Sequence, residues 1–436
     1  MLSFGKITNR LNRIITDKAE ITIFRNMAKL VAGDGIARVI GIITTPIITR
    51  IYSPEQMGVL SVFISLLALM APFATLRYST AIPLPKNDRL SFNLLALSFF
   101  ILCGGTIIVF AVYSFVGEQV LTVFSIPQVA NYWQLIPVSF WCIGVYEILS
   151  QWAVRKKQFS TLAKTKMTQK LVGSFSKIVL GFCGLKPLGL LVGEILTQMG
   201  GILSLFRSFI KDFRSNFVYV KKATLRFLSL YFIDFPRYRL PSQFFLIFSG
   251  KIPLLYFAWK YGAELTGQLG LSITMLSIPV TLIGYSVGKA FYAEIATIGK
   301  KEPDKIFKLT KNIMRKLFGF SFIPFLIILC LGPWIFKVFF GEMWFQSGVF
   351  ARILSFYLLM QFVYSPIGDG IVNVFNRQNV IFLIDFIRVI IIATVFFLAY
   401  LLQWDVIFTL IVYSMSLTIH YFIATYMILR IIKLTK

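Results

Sequence analysis

The chain has 436 residues, of which 57% are hydrophobic and 14% charged, and its mean hydropathy is +0.78. Soluble domains carry about 25% charge, so an ordinary soluble fold is excluded and a bilayer is indicated. A net charge of +26 would suggest nucleic acid in a soluble protein. In a membrane protein it reads as topology, because Lys and Arg collect in cytoplasmic loops beside anionic headgroups. No RNA-binding fold or zinc spacing competes with that reading.

Residues 1–29 carry Lys6, Arg10, Arg13, Lys18, Arg25 and Lys29 without a continuous apolar run. Phe4, Ile7, Leu11 and Ile14 share one helical face, which predicts a basic amphipathic helix on the cytoplasmic surface rather than a cleavable signal peptide. A transmembrane helix needs roughly 20 apolar residues. Twelve stretches qualify, at 30–50, 57–82, 91–116, 133–153, 167–185, 188–206, 240–260, 267–290, 317–340, 350–375, 380–402 and 406–429. The expected fold is an all-α polytopic membrane protein with about twelve transmembrane helices.

The gaps between spans alternate. Ile51–Gln56, Gly117–Tyr132, Gly341–Gly348 and Gln403–Asp405 are poor in Lys and Arg, whereas Val154–Lys170, Arg207–Arg239 and Lys289–Lys316 are rich in them. Of the 44 basic residues, 34 fall on one side, five on the other and five within spans. The positive-inside rule then puts both termini in the cytoplasm. In the Lys300–Leu317 stretch, Ile306, Leu309, Ile313 and Leu317 oppose the lysines, as in a helix lying on that surface.

The longest gap, Arg207–Arg239, reads as a basic cytoplasmic linker between an N-lobe (30–206) and a C-lobe (240–436) of six spans each. The lobes share an echo: Tyr52, Glu55 and Gly58 after span one recur as Tyr261, Glu264 and Gly267 after span seven. A central proline, Pro72 or Pro279, follows in the next span. An even number of spans per lobe makes the repeat parallel, a transporter architecture with a cavity between lobes. Pro46, Pro137, Pro324 and Pro366 are further candidate kinks.

An ionisable group inside a span is costly and is a functional candidate by default. Asp34 and Arg38 lie one turn apart in span one, Arg77 near the end of span two and Lys251 in mid-span seven. Arg38, Arg77 and Lys251 are the candidate substrate-binding cations of a central cavity, suited to phosphate or pyrophosphate. Asp34, Glu147, Glu194 and Asp369 are candidate charge partners or ion-coupling groups. Asp385 with Arg388 reads as a structural pair, Lys177 as either paired or snorkelling, and His420 as a packed interior histidine. Cys103, Cys142, Cys183 and Cys330 read as buried small hydrophobes, and no metal site is expected from one histidine. Neither a nucleotide-binding P-loop nor a glycine-rich dinucleotide motif is present, so an enzyme is disfavoured and no cofactor is expected.

Phe235-Pro-Arg-Tyr238-Arg-Leu-Pro241-Ser242 opens span seven, followed by Gly262, Gly267, Pro279 and Leu282-Ile-Gly284-Tyr-Ser286-Val-Gly288. With Arg50-Ile-Tyr-Ser-Pro-Glu-Gln-Met-Gly58 and Leu76-Arg-Tyr-Ser-Thr-Ala-Ile-Pro-Leu-Pro85-Lys, these stretches resemble the Wzx-type polysaccharide biosynthesis (O-antigen) flippases. That family lies in the multidrug/oligosaccharidyl-lipid/polysaccharide exporter superfamily. One departure is Ser79, where an acidic residue often follows the Arg-Tyr pair. The resemblance implies two lobes around a cationic cavity. It further implies transfer of an undecaprenyl-pyrophosphate-linked oligosaccharide to the periplasmic leaflet of a bacterial inner membrane. Coupling to H+ or Na+ is plausible for the superfamily, and a polysaccharide polymerase and chain-length regulator are candidate partners. A cation-coupled drug exporter, a fourteen-span lipid II flippase and a non-transporting scaffold are the rival readings.

Overall fold

A backbone in hydrocarbon must satisfy its own polar groups, and an α-helix does so within one segment. The computed structural model describes residues 32–124, 132–375 and 377–434, and no strand occurs among them. The basic segment expected over 1–29 lies outside the described residues. The helices are α1 (Ala32–Ile51), α2 (Pro54–Met70), α3 (Asp88–Val123), α4 (Leu135–Arg155), α5 (Phe159–Phe182) and α6 (Leu188–Phe217). After them come α7 (Lys222–Tyr231), α8 (Leu240–Ile298), α9 (Pro303–Phe340), α10 (Phe345–Phe375), α11 (Gln378–Leu401) and α12 (Val406–Leu434).

Among the described residues, nine helices are long and apolar enough to cross a membrane. That number leaves out α4 and α5, which carry more polar residues, and treats α8 as one helix, although Gly262 (φ 88°) breaks it into two segments. The left-handed φ is one that glycine adopts without the Cβ clash other residues incur. The twelve expected spans correspond to α1–α6, the two segments of α8, and α9–α12, with α7 between the lobes. Large apolar side chains such as Phe115, Phe175, Phe182 and Phe382 are exposed on the outer surface, as lipid contact requires. The protein is a multi-pass membrane protein.

Several expected boundaries move. The span expected over 57–82 is not one helix: α2 stops at Met70 and short 3-10 turns follow at Ala71–Phe73 and Tyr78–Ala81. Pro72 removes an amide donor and crowds the preceding turn, and Leu76 and Arg77 both take positive φ. The Lys300–Leu317 helix is not separate, since α9 runs from Pro303 into span nine. Its apolar face is as expected, with Ile306 and Leu317 buried. The Arg207–Arg239 linker begins inside α6 and is docked on the N-lobe. There Asn93 donates to the Tyr219 carbonyl at 3.0 Å and accepts from the Lys221 amide at 3.2 Å. Of the cysteines only Cys142 is buried; Cys183 and Cys330 are exposed, because an apolar span position can face lipid as well as core.

The repeated Tyr-x-x-Glu-x-x-Gly stretches form the contact between lobes. A Cβ on Gly58 would overlap the Ala263 carbonyl, and one on Gly267 would overlap the Pro54 carbonyl. Each glycine thus meets the residue two places after the other repeat's tyrosine, so the contact is related by a pseudo-two-fold axis. Ser61 and Gly270, the next equivalent positions, face each other across that axis. The tyrosines tie each repeat into its own lobe: Tyr52 donates to the Lys177 carbonyl and Tyr261 to the Trp404 carbonyl, both at 2.8 Å. Around this crossing, Trp344 donates to the Thr49 carbonyl at 2.9 Å and Arg50 to the Val338 carbonyl at 3.2 Å. The lobes are therefore closed at the end opposite the basic loops.

At the basic end the N-lobe loops have their own clamp. Asp88 accepts from Arg155 and Lys156, each at 2.8 Å, and Lys156 also pairs with Asp212 at 3.4 Å. Arg155 caps the carbonyls of Pro83, Pro85 and Lys86 besides.

The closed end is open to a direct test. A Cβ on Gly270 would lie 3.3 Å from the Cβ of Ser61, near the separation a disulfide requires. The double variant Ser61→Cys/Gly270→Cys, with the four native cysteines replaced by serine, is expected to cross-link under mild oxidation. A reducible mobility shift after cleavage between the lobes reads this out; separate fragments under oxidising conditions would contradict the packing.

Candidate functional site

Towards the basic end the lobes part around a cavity of about 660 Å³, within the range of small-molecule sites. Its walls come from α1, α5, the second segment of α8, and α10. A second space of about 220 Å³ continues towards the closed end between α1, α5 and α8, and shares Asp34 and Arg38 with the first.

Helical spacing accounts for the lining. On α10, Gln361, Ser365, Asp369 and Asn373 recur every fourth residue and form a polar stripe facing the cavity. Gly284 and Gly288 on α8 keep that wall low, and a Cβ on Gly288 would press on the Pro366 carbonyl at 3.1 Å. Asp34 and Arg38 share a face of α1, with Arg38 Nε 3.1 Å from Asp34 Oδ2. Lys166 of α5 reaches the other carboxylate oxygen at 2.9 Å. Arg38 also spans the lobes, donating to Thr281 Oγ1 at 2.7 Å. Lys170 and Lys289 complete the charged lining, so four cations face the two carboxylates Asp34 and Asp369.

The seven candidate residues separate accordingly. Arg38, Asp34 and Asp369 line the large cavity. Arg77 and Glu147 line neither space: they pair at 3.1 Å within the N-lobe, where Ser79 also donates to Glu147 at 2.8 Å. Ser79 thus occupies its own place in that network instead of supplying an acid. Glu194 pairs with Lys177 at 2.6 Å, both nearly buried, so Lys177 does not snorkel. Lys251 is half-buried on the first segment of α8, lines neither space, and interacts electrostatically with Glu194. The expected Asp385–Arg388 pair forms at 3.4 Å, and Arg388 also donates to Ser249 at 3.2 Å. His420 is buried in the C-lobe. No group of His, Cys, Asp or Glu able to hold a metal occurs among the described residues.

Lys166, Lys170, Lys289, Gln361, Ser365 and Asn373 join the site beyond the sequence candidates. Counting charge by side assigns the lysines to loops; the α10 stripe carries a signal in its fourfold spacing, but only Asp369 in it is charged.

The polysaccharide biosynthesis protein family matches residues 47–349. The chain belongs to that family. None of the curated proteins matches the sequence. Among solved structures, this member of the polysaccharide biosynthesis family is similar in fold to the lipid II flippase MurJ in an inward closed conformation. The TM-score is 0.71, with 15% identity over 91% of this chain and 87% of that one. It is also similar to an inward-facing multidrug resistance MATE family transporter of the MOP superfamily, with TM-score 0.65 and 13% identity over 92% of this chain and 95% of that one. A mutant of the Vibrio cholerae MATE transporter VcmN gives TM-score 0.56 and 14% identity over 95% and 97%. The shared feature is the two-lobed fold of membrane transporters.

The Lys177–Glu194 pair separates structural from functional charge in this family member. Removing one partner of a buried ion pair strands the other, at about 3–5 kcal/mol. Lys177→Met is therefore expected to lower the melting temperature in detergent, and Lys177→Met/Glu194→Gln to recover most of the loss. Equal melting of Lys177→Met and the parent protein would contradict the assignment.

Proposed function

We propose that this protein flips an undecaprenyl-pyrophosphate-linked oligosaccharide, an O-antigen or related surface polysaccharide unit, from the cytoplasmic to the periplasmic leaflet of a bacterial inner membrane. The observation that carries the reading is the excess of cations in a cavity that is closed at one end and walled by both lobes. Membership of the polysaccharide biosynthesis family supports it. So does similarity in fold to a protein named as a lipid II flippase. The distribution of Lys and Arg supports a cytoplasmic cavity mouth and cytoplasmic termini.

In this reading the polyprenyl tail stays in lipid while the head group enters between the lobes. Asp34 pairs with both Arg38 and Lys166, and phosphoryl oxygens or acidic sugars compete for the same donors. A guanidinium suits that exchange because its planar fork binds two oxygens at once. Binding at Arg38 also loosens its bond to Thr281, the contact that joins the lobes across the cavity. Rocking that parts the lobes at the Gly58/Gly267 crossing then exposes the cavity to the other side. Lys251 adds positive potential from the C-lobe, Asp369 is the candidate for coupling to H+ or Na+, and the polymerase and chain-length regulator are proposed downstream partners.

The drug-exporter reading rests on the MATE likeness, and it calls for an acidic, aromatic cavity. Here one of the two cavity carboxylates, Asp34, is already bound by two cations.

Arg38→Ala is expected to lower surface polysaccharide about tenfold or more at equal protein level, the factor that one charge-assisted hydrogen bond supplies. Arg38→Lys should retain part of it as a point charge, and Lys251→Ala should lower it to a smaller degree. Normal polymer from Arg38→Ala would sink the cationic-cavity reading. Resistance to cationic drugs conferred by the parent protein would favour the exporter instead.

A further inference from the structure

Three lysines on α5 single out a site within the cavity. Lys166, Lys170 and Lys177 recur at helical spacing and share one face. The outer two are ion-paired, Lys166 with Asp34, which Arg38 shares, at 2.9 Å and Lys177 with Glu194 at 2.6 Å. Lys170, between them, has no carboxylate within ion-pair distance among the described residues. An unpaired ammonium at this depth is costly to hold in a membrane protein.

Gly41 explains how Lys170 reaches the cavity. The lysine stem crosses α1 over this glycine: a Cβ there would meet Lys170 Cε at 2.8 Å and Nζ at 3.4 Å. The ammonium thereby comes to line the 220 Å³ space together with Arg38, Thr45, Thr274 and Ser277. The three hydroxyls donate to helix carbonyls, of Gly41 at 2.6 Å, Gly270 at 2.7 Å and Thr274 at 2.9 Å. The donors left for a ligand are therefore the two cations. The wider cavity next to it offers the neutral groups of Gln361, Ser365 and Asn373, which match sugar hydroxyls.

We propose that Arg38 and Lys170 form a phosphoryl-oxyanion subsite at the inner end of the cavity, and that the α10 stripe receives the glycan. The proposal rests on the flippase reading and adds to it the orientation of the head group. Two adjacent phosphoryl groups fit a forked guanidinium beside a point-charge ammonium. Gly41 is a positioning residue: it keeps the path of Lys170 clear.

Purified full-length protein in detergent, titrated with inorganic pyrophosphate and followed by thermal shift, tests this, because a ligand of the folded state raises the melting temperature. The parent protein and Lys170→Arg are expected to be stabilised. Lys170→Gln should need about tenfold more pyrophosphate, the loss of one charge-assisted contact. Gly41→Val, which keeps every charge but blocks the lysine, should behave like Lys170→Gln. No response of the parent protein, or an unchanged response in Lys170→Gln, overturns the subsite. Parallel titrations with farnesyl pyrophosphate and with phosphatidylglycerol distinguish a pyrophosphate ligand from a bulk lipid headgroup. An equal response to the phosphatidylglycerol assigns the site to the headgroup and overturns the pyrophosphate assignment. Polysaccharide export from cells is scored separately. Export that depends on Arg38, with no pyrophosphate response in vitro, would leave transport standing and remove only the subsite.

Discussion

Two glycines set the geometry on which the rest of the molecule depends. Gly58 and Gly267 let the start of α2 and the second segment of α8 approach to backbone contact, where lipid alone gives helices little reason to associate. Any side chain at either position would push the lobes apart at this end. The crossing is narrow and pseudo-symmetric, and Trp344 and Arg50 fasten it to α1 and α9. Farther along, the lobes diverge, and the polar cavity is the space that divergence leaves. A small-residue seal closes one end, and the cavity lies beyond it where the lobes diverge.

Charge inside the bundle then falls into two kinds. Arg77 with Glu147 and Lys177 with Glu194 hold helices of one lobe together. Asp34, Arg38 and Lys166 form a partly open cluster whose arginine also touches the opposite lobe at Thr281. The first kind is paired within its own lobe and lines neither cavity space. In the proposed reading the second kind exchanges partners, because a phosphoryl group satisfies the same donors as the carboxylate does. The cavity is thus cationic by a margin of individual residues, Lys170 foremost among them, and not because the chain as a whole is basic.

Much of this was legible in the chain. Hydropathy locates the spans because a helix in lipid must be apolar along its length, and the Tyr-x-x-Glu-x-x-Gly echo marks the two lobes as a repeat; that its glycines make the lobe contact shows only in the folded chain. Arg38, Asp34 and Asp369 stood out as charges where charge is costly. Arg77 stood out equally, and only tertiary structure brings Glu147 to it. Lys166, Lys170 and Lys289 were hidden by the rule that orients the chain: a lysine near a span end is assigned to a loop, while α5 and α8 carry theirs onto the cavity wall. Gln361, Ser365 and Asn373 were hidden because a neutral polar group in a span carries no such alarm, although their fourfold spacing places them on one face. The breaks at Pro72 and Gly262 depend on backbone conformations that hydropathy does not encode.

In the proposed flippase the lobes must separate at the Gly58/Gly267 crossing for the cavity to open on the other side. The most direct measurement is polysaccharide export by cells carrying Ser61→Cys/Gly270→Cys as their sole copy, followed before and after reduction. Export is expected to stop while the two cysteines are joined and to resume when the bond is reduced, with protein level unchanged. Undiminished export from fully cross-linked protein would contradict it.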